Sequence, residues 1–213
     1  MDELTLTLVT DRTQTRGRDL VAVVGECLAA GLPAVQVREK DLGAGDLAFL
    51  CRRLLGPVRD TDAALVVNDR VDVALAVGAD AVQRTSASLP VDDIRAIAGG
   101  RLRIGASVHS LEDAVEAELK GADWVTFGPI YETPSKRPFG PPQGLERLAT
   151  VSRGLRIPVV AIGGITPERV AEVLAAGARG VAVISGILAA DSAADATRRF
   201  LKALGVRRAR STS

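Results

Sequence analysis

The stretch Pro158 to Gly186, PVVAIGGITPERVAEVLAAGARGVAVISG, reads as one complete strand, helix, strand unit. Val159 to Ile162 is a short apolar run that stops at Gly163-Gly164, as a strand buried on both faces does. Thr166-Pro167-Glu168 then opens a helix: Thr166 is placed to cap free amides, Pro167 suits the first helical position, and Glu168 complements the dipole. Gly177 closes it, and Val181 to Ile184 forms a second apolar run ending at Ser185-Gly186. Two strands joined in this way lie parallel, so both glycine-containing loops fall at the C-terminal edge of one sheet. Loops of small residues there bring backbone N–H groups close to an anion, with a helix N-terminus adding positive charge. Gly163, Gly164, Ile184 and Ser185 therefore read as a phosphate cup, against the plainer reading of two tight turns.

The same punctuation recurs outward from this unit. Gly31 precedes AVQVRE, Gly78 precedes ADAVQ, Gly121 precedes ADWVTFG and Gly177 precedes ARGVAVIS, each glycine serving as a left-handed helix cap from which the chain turns into a strand. Strands are expected at Leu4 to Thr10, Ala34 to Arg38, Ala64 to Val67, Ala81 to Gln83, Arg103 to Ser107, Trp124 to Phe127, Val159 to Ile162 and Val181 to Ile184. Helices fill the intervals, the last from Ala193 to Leu204. Eight strand–helix units in 213 residues fit an α/β fold of the (β/α)8 TIM-barrel type, a single domain over residues 1–205 followed by a frayed polar tail, 206–213. A doubly wound open sheet is the structural alternative.

Composition narrows the function. A hydrophobic content of 47% with 25% charged residues supports one sizeable core, and a net charge of +1 supplies no general attraction to nucleic acid. Aromatics make up only 3% of the chain, too few for base-stacking platforms. No apolar run reaches membrane-spanning length and no secretory signal opens the chain, so no membrane partner is expected and a cytoplasmic location is the default. Cys27 and Cys51 lie in expected helices without metal-ligand spacing, and read as small buried apolar residues. The apolar helix Val71 to Val77 suits either packing on the barrel or a homo-oligomer interface.

In a barrel, chemistry belongs at the C-terminal strand ends, where this chain concentrates its polar residues. Gln36, Arg38 and Lys40 alternate with Val35 and Val37, which places the polar three on one face. Lys40-Asp41 is alternatively a solvated loop pair. Asn68 and Asp69 end the third strand, as ligands or as a cap for the following helix. Ser107 and His109 share a face at the end of the fifth strand, just before the capping stretch Ser110 to Asp113. His109 is the single histidine in the chain, a satisfied structural residue or the one side chain ready to exchange protons near neutral pH. The segment Gly128 to Gly144, carrying Thr133, Ser135 and Lys136, is long enough for a binding loop or lid.

Several motifs carry a family resemblance: VTD at Val9 to Asp11, VQVREKD at Val35 to Asp41, VNDRVDVALAVGAD at Val67 to Asp80, GADWVTFGPIYETPSK at Gly121 to Lys136, and VVAIGGI followed by VAVISGI. In this order, over nearly the whole chain, they resemble the thiamine phosphate synthase superfamily. That resemblance implies a (β/α)8 barrel and a small phosphorylated thiazole as substrate. The superfamily holds a synthase, which joins a pyrimidine methyl diphosphate to a thiazole phosphate and expels pyrophosphate. It also holds a thiazole tautomerase, which aromatises thiazole phosphate carboxylate.

The two branches imply different sites. The synthase pattern maps onto Gln36, Arg38, Lys40, Asn68, Asp69, Ser107 and Lys136, with Mg²⁺ as cofactor and Asp69 as its ligand. That branch also expects a second Mg²⁺-binding aspartate in a His-x-Gly-Gln-x-Asp pattern, where this chain reads Gln83-Arg84-Thr85-Ser86-Ala87-Ser88. Ser88 stands in the aspartate's place, and the run IGASVHSLEDAVEAE looks more like the tautomerase, which requires no cofactor. The resemblance assigns the tautomerase's proton transfer to His109, a form of catalysis typically worth about 10² to 10⁴ in rate. Thr133 and Ser135 become donors to the substrate's carboxylate or phosphate. The leading expectation is the tautomerase, the alternative is a synthase with a reduced Mg²⁺ site, and a third reading is a non-catalytic barrel that binds a phosphate ligand.

Overall fold

The computed structural model describes residues 4–133 and 141–206. Its strands are β1 (Leu6–Val9), β2 (Ala34–Val37), β3 (Ala64–Asn68), β4 (Ala81–Arg84), β5 (Arg103–Val108), β6 (Trp124–Phe127), β7 (Val159–Ile162) and β8 (Gly180–Val183). Each pairs in parallel with the next, and β8 returns to β1, closing the barrel. The open-sheet alternative is thereby excluded. Helices α1 (Leu20–Ala29), α2 (Ala44–Arg59), α3 (Val71–Val77), α4 (Val91–Ala98), α5 (Leu111–Leu119), α6 (Gly144–Gly154) and α7 (Val170–Ala175) connect consecutive strands, and α8 (Ser185–Leu188) and α9 (Ala193–Ala203) follow the last. The frayed-tail expectation and the expected site residues Ser135 and Lys136 fall largely or wholly outside the described residues.

Most expected strands shift at an end, for a physical reason. Parallel ladder bonds slant, so a terminal residue keeps one bond without being bridged on both sides. Thr10 N donates to Gln36 O at 2.9 Å beyond the end of β1, and Val181 N donates to Thr5 O at 3.0 Å before its start. Strand β8 runs one residue earlier than expected because Ile184, at φ −113° and ψ −88°, has already left the extended conformation.

Strand alternation divides the apolar side chains into two layers. Leu6, Leu8, Val35, Val37, Leu65, Val67, Ile104, Val125, Phe127 and Val181 face outward and join the buried helix faces in the main core. Val9, Val66, Trp124, Val160 and Ala182 face inward as a second, smaller cluster inside the barrel. Val71, Val73, Ala74 and Val77 of α3 are buried in the main core, which accounts for that helix's apolar character by packing on the barrel. Cys27 and Cys51 are buried there too, and burial pushes each thiol up to about 11, so both are thiols at neutral pH. Among the described residues no helix is long and apolar enough to cross a membrane.

Local signals set the helix starts only in part. Asp19, Ser110 and Ser192 cap α1, α5 and α9 by accepting from Ala22 N, Asp113 N and Asp195 N at 3.0 to 3.1 Å. The cap expected of Thr166 is not made: its side chain accepts no amide bond, and the chain passes through a tight turn, Pro167–Arg169, before α7 begins. Neither α7, of six residues, nor α8, of four, is long enough to build the macrodipole expected behind the phosphate cup. Backbone N–H groups are what remain there to meet an anion.

Candidate active site at the C-terminal mouth of the barrel

The loops after β1 and β2 are tied by a buried carboxylate that sequence reading missed. Glu39, only 6% exposed, accepts from Thr10 Oγ1 at 2.6 Å, Arg12 N at 3.1 Å and Arg12 Nη1 at 3.0 Å. Arg12 also binds Asp41, with Nη1 2.7 Å from Oδ1 and Nη2 on Oδ2. A buried carboxylate is tolerable only with partners of this kind. The bond to Asp41 and then that to Glu39 raise the Arg12 pKa above its ordinary value. Both acidic groups are thereby spent on Arg12. Lys40, expected to share a face with Gln36 and Arg38, lies exposed beyond the strand end, and among the described residues nothing pairs with its ammonium. Lys40-Asp41 is not a mutual pair, because Asp41 belongs to Arg12. Gln36 is placed differently again, at 6% exposure inside the barrel.

At the ends of β3 and β4 the structure joins Asp69 to Ser88, the residue that stands where the synthase pattern expects a second aspartate. Asp69 holds φ +68°, a conformation that non-glycine residues seldom adopt and that costs of order 1–3 kcal/mol. Its amide donates to Gln83 O at 2.9 Å, and its Oδ1 accepts a hydrogen bond from Ser88 Oγ. Ser88 Oγ in turn accepts from Thr85 N at 2.8 Å. The helix-cap reading of Asn68-Asp69 is corrected by this geometry, since the residue before α3 is Arg70 and no side chain caps that helix. Asp69 is free for a role at the mouth.

The floor of the mouth is polar. Gln83 is 1% exposed and donates from Nε2 to Ser107 Oγ at 3.0 Å, while its Oε1 meets no donor among the described residues. Beneath it a cavity of about 10 Å³ inside the barrel, room for about one water, is lined by Thr7, Gln36, Gln83, Arg103, Trp124 and Thr126 among others. Gly105 makes this arrangement possible: a Cβ there would stand 2.3 Å from both Gln83 Oε1 and the Trp124 ring. In the sequence Gln83 stands out only as part of a substituted motif. Its inward position follows from the period of two, which was the one signal available for it.

His109, beyond Ser107, is exposed at the rim, and its Nδ1 lies 2.7 Å from Gly128 O. A carbonyl oxygen only accepts, so in the neutral ring Nδ1 carries the proton and Nε2 keeps its lone pair for a ligand. The structure thus orients the ring as a proton acceptor requires, from a residue 19 positions away in sequence.

Gly163 and Gly164 adopt φ +101° and +65°, and a Cβ on either would collide with Pro129 or Tyr131 of the loop after β6. That loop runs alongside them: Ile130 N donates to Ile162 O at 2.9 Å and Tyr131 N to Gly163 O at 3.0 Å. Ile162 pairs with Ala182 in the β7–β8 ladder, which turns the Gly163 amide toward β8, while among the described residues no backbone acceptor meets the amides of Gly164, Ser185 or Gly186. Ile184 is half-buried before α8, and Ser185 is exposed at its first position. Thr133 is half-buried at the end of the described part of the loop.

The mouth therefore combines an oriented imidazole, a strained carboxylate, the exposed Lys40 ammonium and, among the described residues, amides at Gly164, Ser185 and Gly186 that meet no backbone acceptor. Among the described residues no group of three or more His, Cys, Asp and Glu side chains is placed to hold a metal ion. The fit to Mg²⁺ is that of a single carboxylate, Asp69, with the Ser88 oxygen beside it; such a pair suits Mg²⁺ only when substrate phosphates complete its shell.

Fold and strand ends together define a (β/α)8 barrel whose polar groups collect at its C-terminal mouth. The sequence profile described as thiamine monophosphate synthase matches residues 6–187, and the chain belongs to that family. It is 45% identical over 202 residues to a putative thiamine-phosphate synthase of Geobacter sulfurreducens, with 95% of each chain covered. It is 42% identical over 191 residues to a thiamine-phosphate synthase of Roseiflexus sp. (strain RS-1), covering 90% of this chain and 81% of the relative. A solved structure of a thiamine phosphate pyrophosphorylase from Pyrococcus furiosus superposes with a TM-score of 0.88 at 39% identity, covering 96% of both chains. A 3-hexulose-6-phosphate synthase, 16% identical with a TM-score of 0.67, shares the fold alone.

Proposed function

We propose that this protein acts on a phosphorylated thiazole in thiamine biosynthesis, and that it forms thiamine phosphate. The relatives just described bear the synthase's name, which favours the transferase over the tautomerase expected first. The structural observation that carries the reading is Asp69, a carboxylate held at φ +68° on the rim beside the Ser88 hydroxyl. In the reaction, the bond between the pyrimidine methylene and the diphosphate oxygen breaks, its electron pair leaving with pyrophosphate. The thiazole nitrogen's lone pair forms the new carbon–nitrogen bond. Arg38 and Lys40 offset the charge on the departing pyrophosphate, and the amides at Gly164 and Ser185, with Gly163 shaping the turn, hold the thiazole's phosphate. Asp69 and the Ser88 oxygen would hold Mg²⁺, which when bound neutralises the diphosphate. Gln83 orients Ser107 toward the substrate ring.

His109 supports the second reading. An imidazole fixed through Nδ1 with Nε2 open is what proton transfer between a ring carbon and an exocyclic carbon requires, and that reaction needs no metal. The two readings separate in one experiment. The purified protein is given pyrimidine methyl diphosphate with thiazole phosphate or thiazole phosphate carboxylate, with and without Mg²⁺. Products are resolved by mass and the ring isomer by NMR. Thiamine phosphate formed only with Mg²⁺ is the expected result. Aromatisation alone, indifferent to Mg²⁺, would replace the transferase by the tautomerase, and ligand binding without turnover would leave a phosphate-binding barrel.

A further inference from the structure

We infer that Arg169 is a positioning residue for the phosphate cup, acting through the Gly164 carbonyl. The inference rests on the cup reading above and concerns how the cup is held open before any ligand arrives. Arg169 closes the turn that follows the glycine loop, and its Nη1 donates to Gly164 O at 2.7 Å. Its guanidinium lies 4.3 Å from the centre of the Tyr131 ring, and the Tyr131 hydroxyl donates to Glu172 on α7. The guanidinium is therefore fixed by a stack and a hydrogen bond at once.

The consequence follows from the peptide plane. In a trans peptide the carbonyl oxygen and the next N–H point in opposite directions. Three successive carbonyls of the loop are engaged: Ile162 O by Ile130 N, Gly163 O by Tyr131 N, and Gly164 O by Arg169. The amides that follow them, on Gly163, Gly164 and Ile165, are turned away from those donors; that of Gly163 faces the β8 ladder, and among the described residues those of Gly164 and Ile165 meet no backbone acceptor. Two of the three peptides are set by the backbone of the β6 loop. The third is set by one side chain. What that side chain does at this place is hold the last amide of the cradle toward an anion.

The test uses inorganic phosphate as probe with the full chain and its Arg169→Met and Arg169→Lys variants. Binding is followed by calorimetry, and the Gly163, Gly164 and Ile165 amides by NMR. Arg169→Met is expected to bind phosphate about tenfold more weakly, the worth of one net hydrogen bond to a charged group. The Gly164 and Ile165 amide resonances should already move in the phosphate-free variant, and KM for the phosphorylated thiazole should rise with kcat unchanged. Arg169→Lys, which can reach the same carbonyl without stacking, should recover part of the affinity. Wild-type affinity in Arg169→Met, or unmoved amides in the phosphate-free variant, overturns the positioning role while leaving the cup intact. Failure of the unmodified protein to bind phosphate overturns the cup, and the role of Arg169 with it.

Discussion

The Ser88 hydroxyl donates to the Asp69 carboxylate and accepts from the Thr85 amide, so it bridges the ends of β3 and β4 where the resemblance implies a second carboxylate. Replacing Ser88 by Asp would put two carboxylates in contact. Without metal, their repulsion should lower Tm and raise the pKa of one of them. With Mg²⁺ and pyrophosphate, calorimetry should show binding at least about tenfold tighter than in the unmodified protein, since affinity for hard cations follows ligand charge. Equal affinity in the two proteins would show that Ser88 does not stand at the metal position.

His109→Ala separates the two reactions. Aromatisation of thiazole phosphate carboxylate should fall by about 10² to 10⁴ if the imidazole moves the proton. Thiamine phosphate formation, which needs no such transfer from His109, should fall by about tenfold at most, through loss of the bond to Gly128 and the packing it brings. Phosphate affinity should be unchanged in either case. Steady-state rates with each substrate, measured beside phosphate calorimetry, decide it.

Gly105→Ala tests the barrel floor. The added methyl would meet Gln83 Oε1 and two atoms of the Trp124 ring at 2.3 to 2.4 Å, closer than side chains tolerate. Both neighbours are held inside the barrel, so overpacking of about 1–3 kcal/mol is expected. Chemical denaturation should show that loss, and KM should rise as Gln83 shifts and Ser107 follows. A variant as stable as the parent would mean that the floor is loosely packed.

Tyr131 is the single tyrosine of the chain, so its ionisation can be followed by ultraviolet absorbance without interference. Burial, followed by the bond to Glu172, pushes its pKa from 10.0 up to about 12. A raised folded pKa means that the folded state holds the proton more tightly. The associated stability is complete below pH about 10 and is lost as pH rises toward about 12. Glu172→Gln should move the titration midpoint back toward 10, and Tyr131→Phe should remove this part of the alkaline stability loss. A midpoint at 10 in the unmodified protein would mean that the phenol is not docked.

Much of the architecture was readable from local pattern. Strands β6 and β7 fall where their apolar runs predict, Ser110 caps α5, and Gly31, Gly78, Gly121 and Gly177 close α1, α3, α5 and α7. These features depend on neighbours within a few residues, which a linear reading sees directly. The resemblance identified the family and ranked the tautomerase first, whereas the named relatives favour the synthase. What escaped the reading was contact across the barrel. Glu39 meets Thr10 from 29 positions away, Gln83 meets Ser107 from 24, and Arg169 stacks on Tyr131 from a neighbouring loop.

The eight-unit rhythm, the barrel class and the collection of polar residues at one edge are legible in the chain, because period and punctuation are local properties. Which of those residues work together depends on the folded barrel. Asp41 faces Arg12 rather than Lys40, Asp69 receives Ser88, and His109 turns on Gly128. The reason is closure. Parallel strands separated by a helix bring their ends within hydrogen-bonding reach, and the partners chosen there depend on register and rotamer rather than on spacing along the chain.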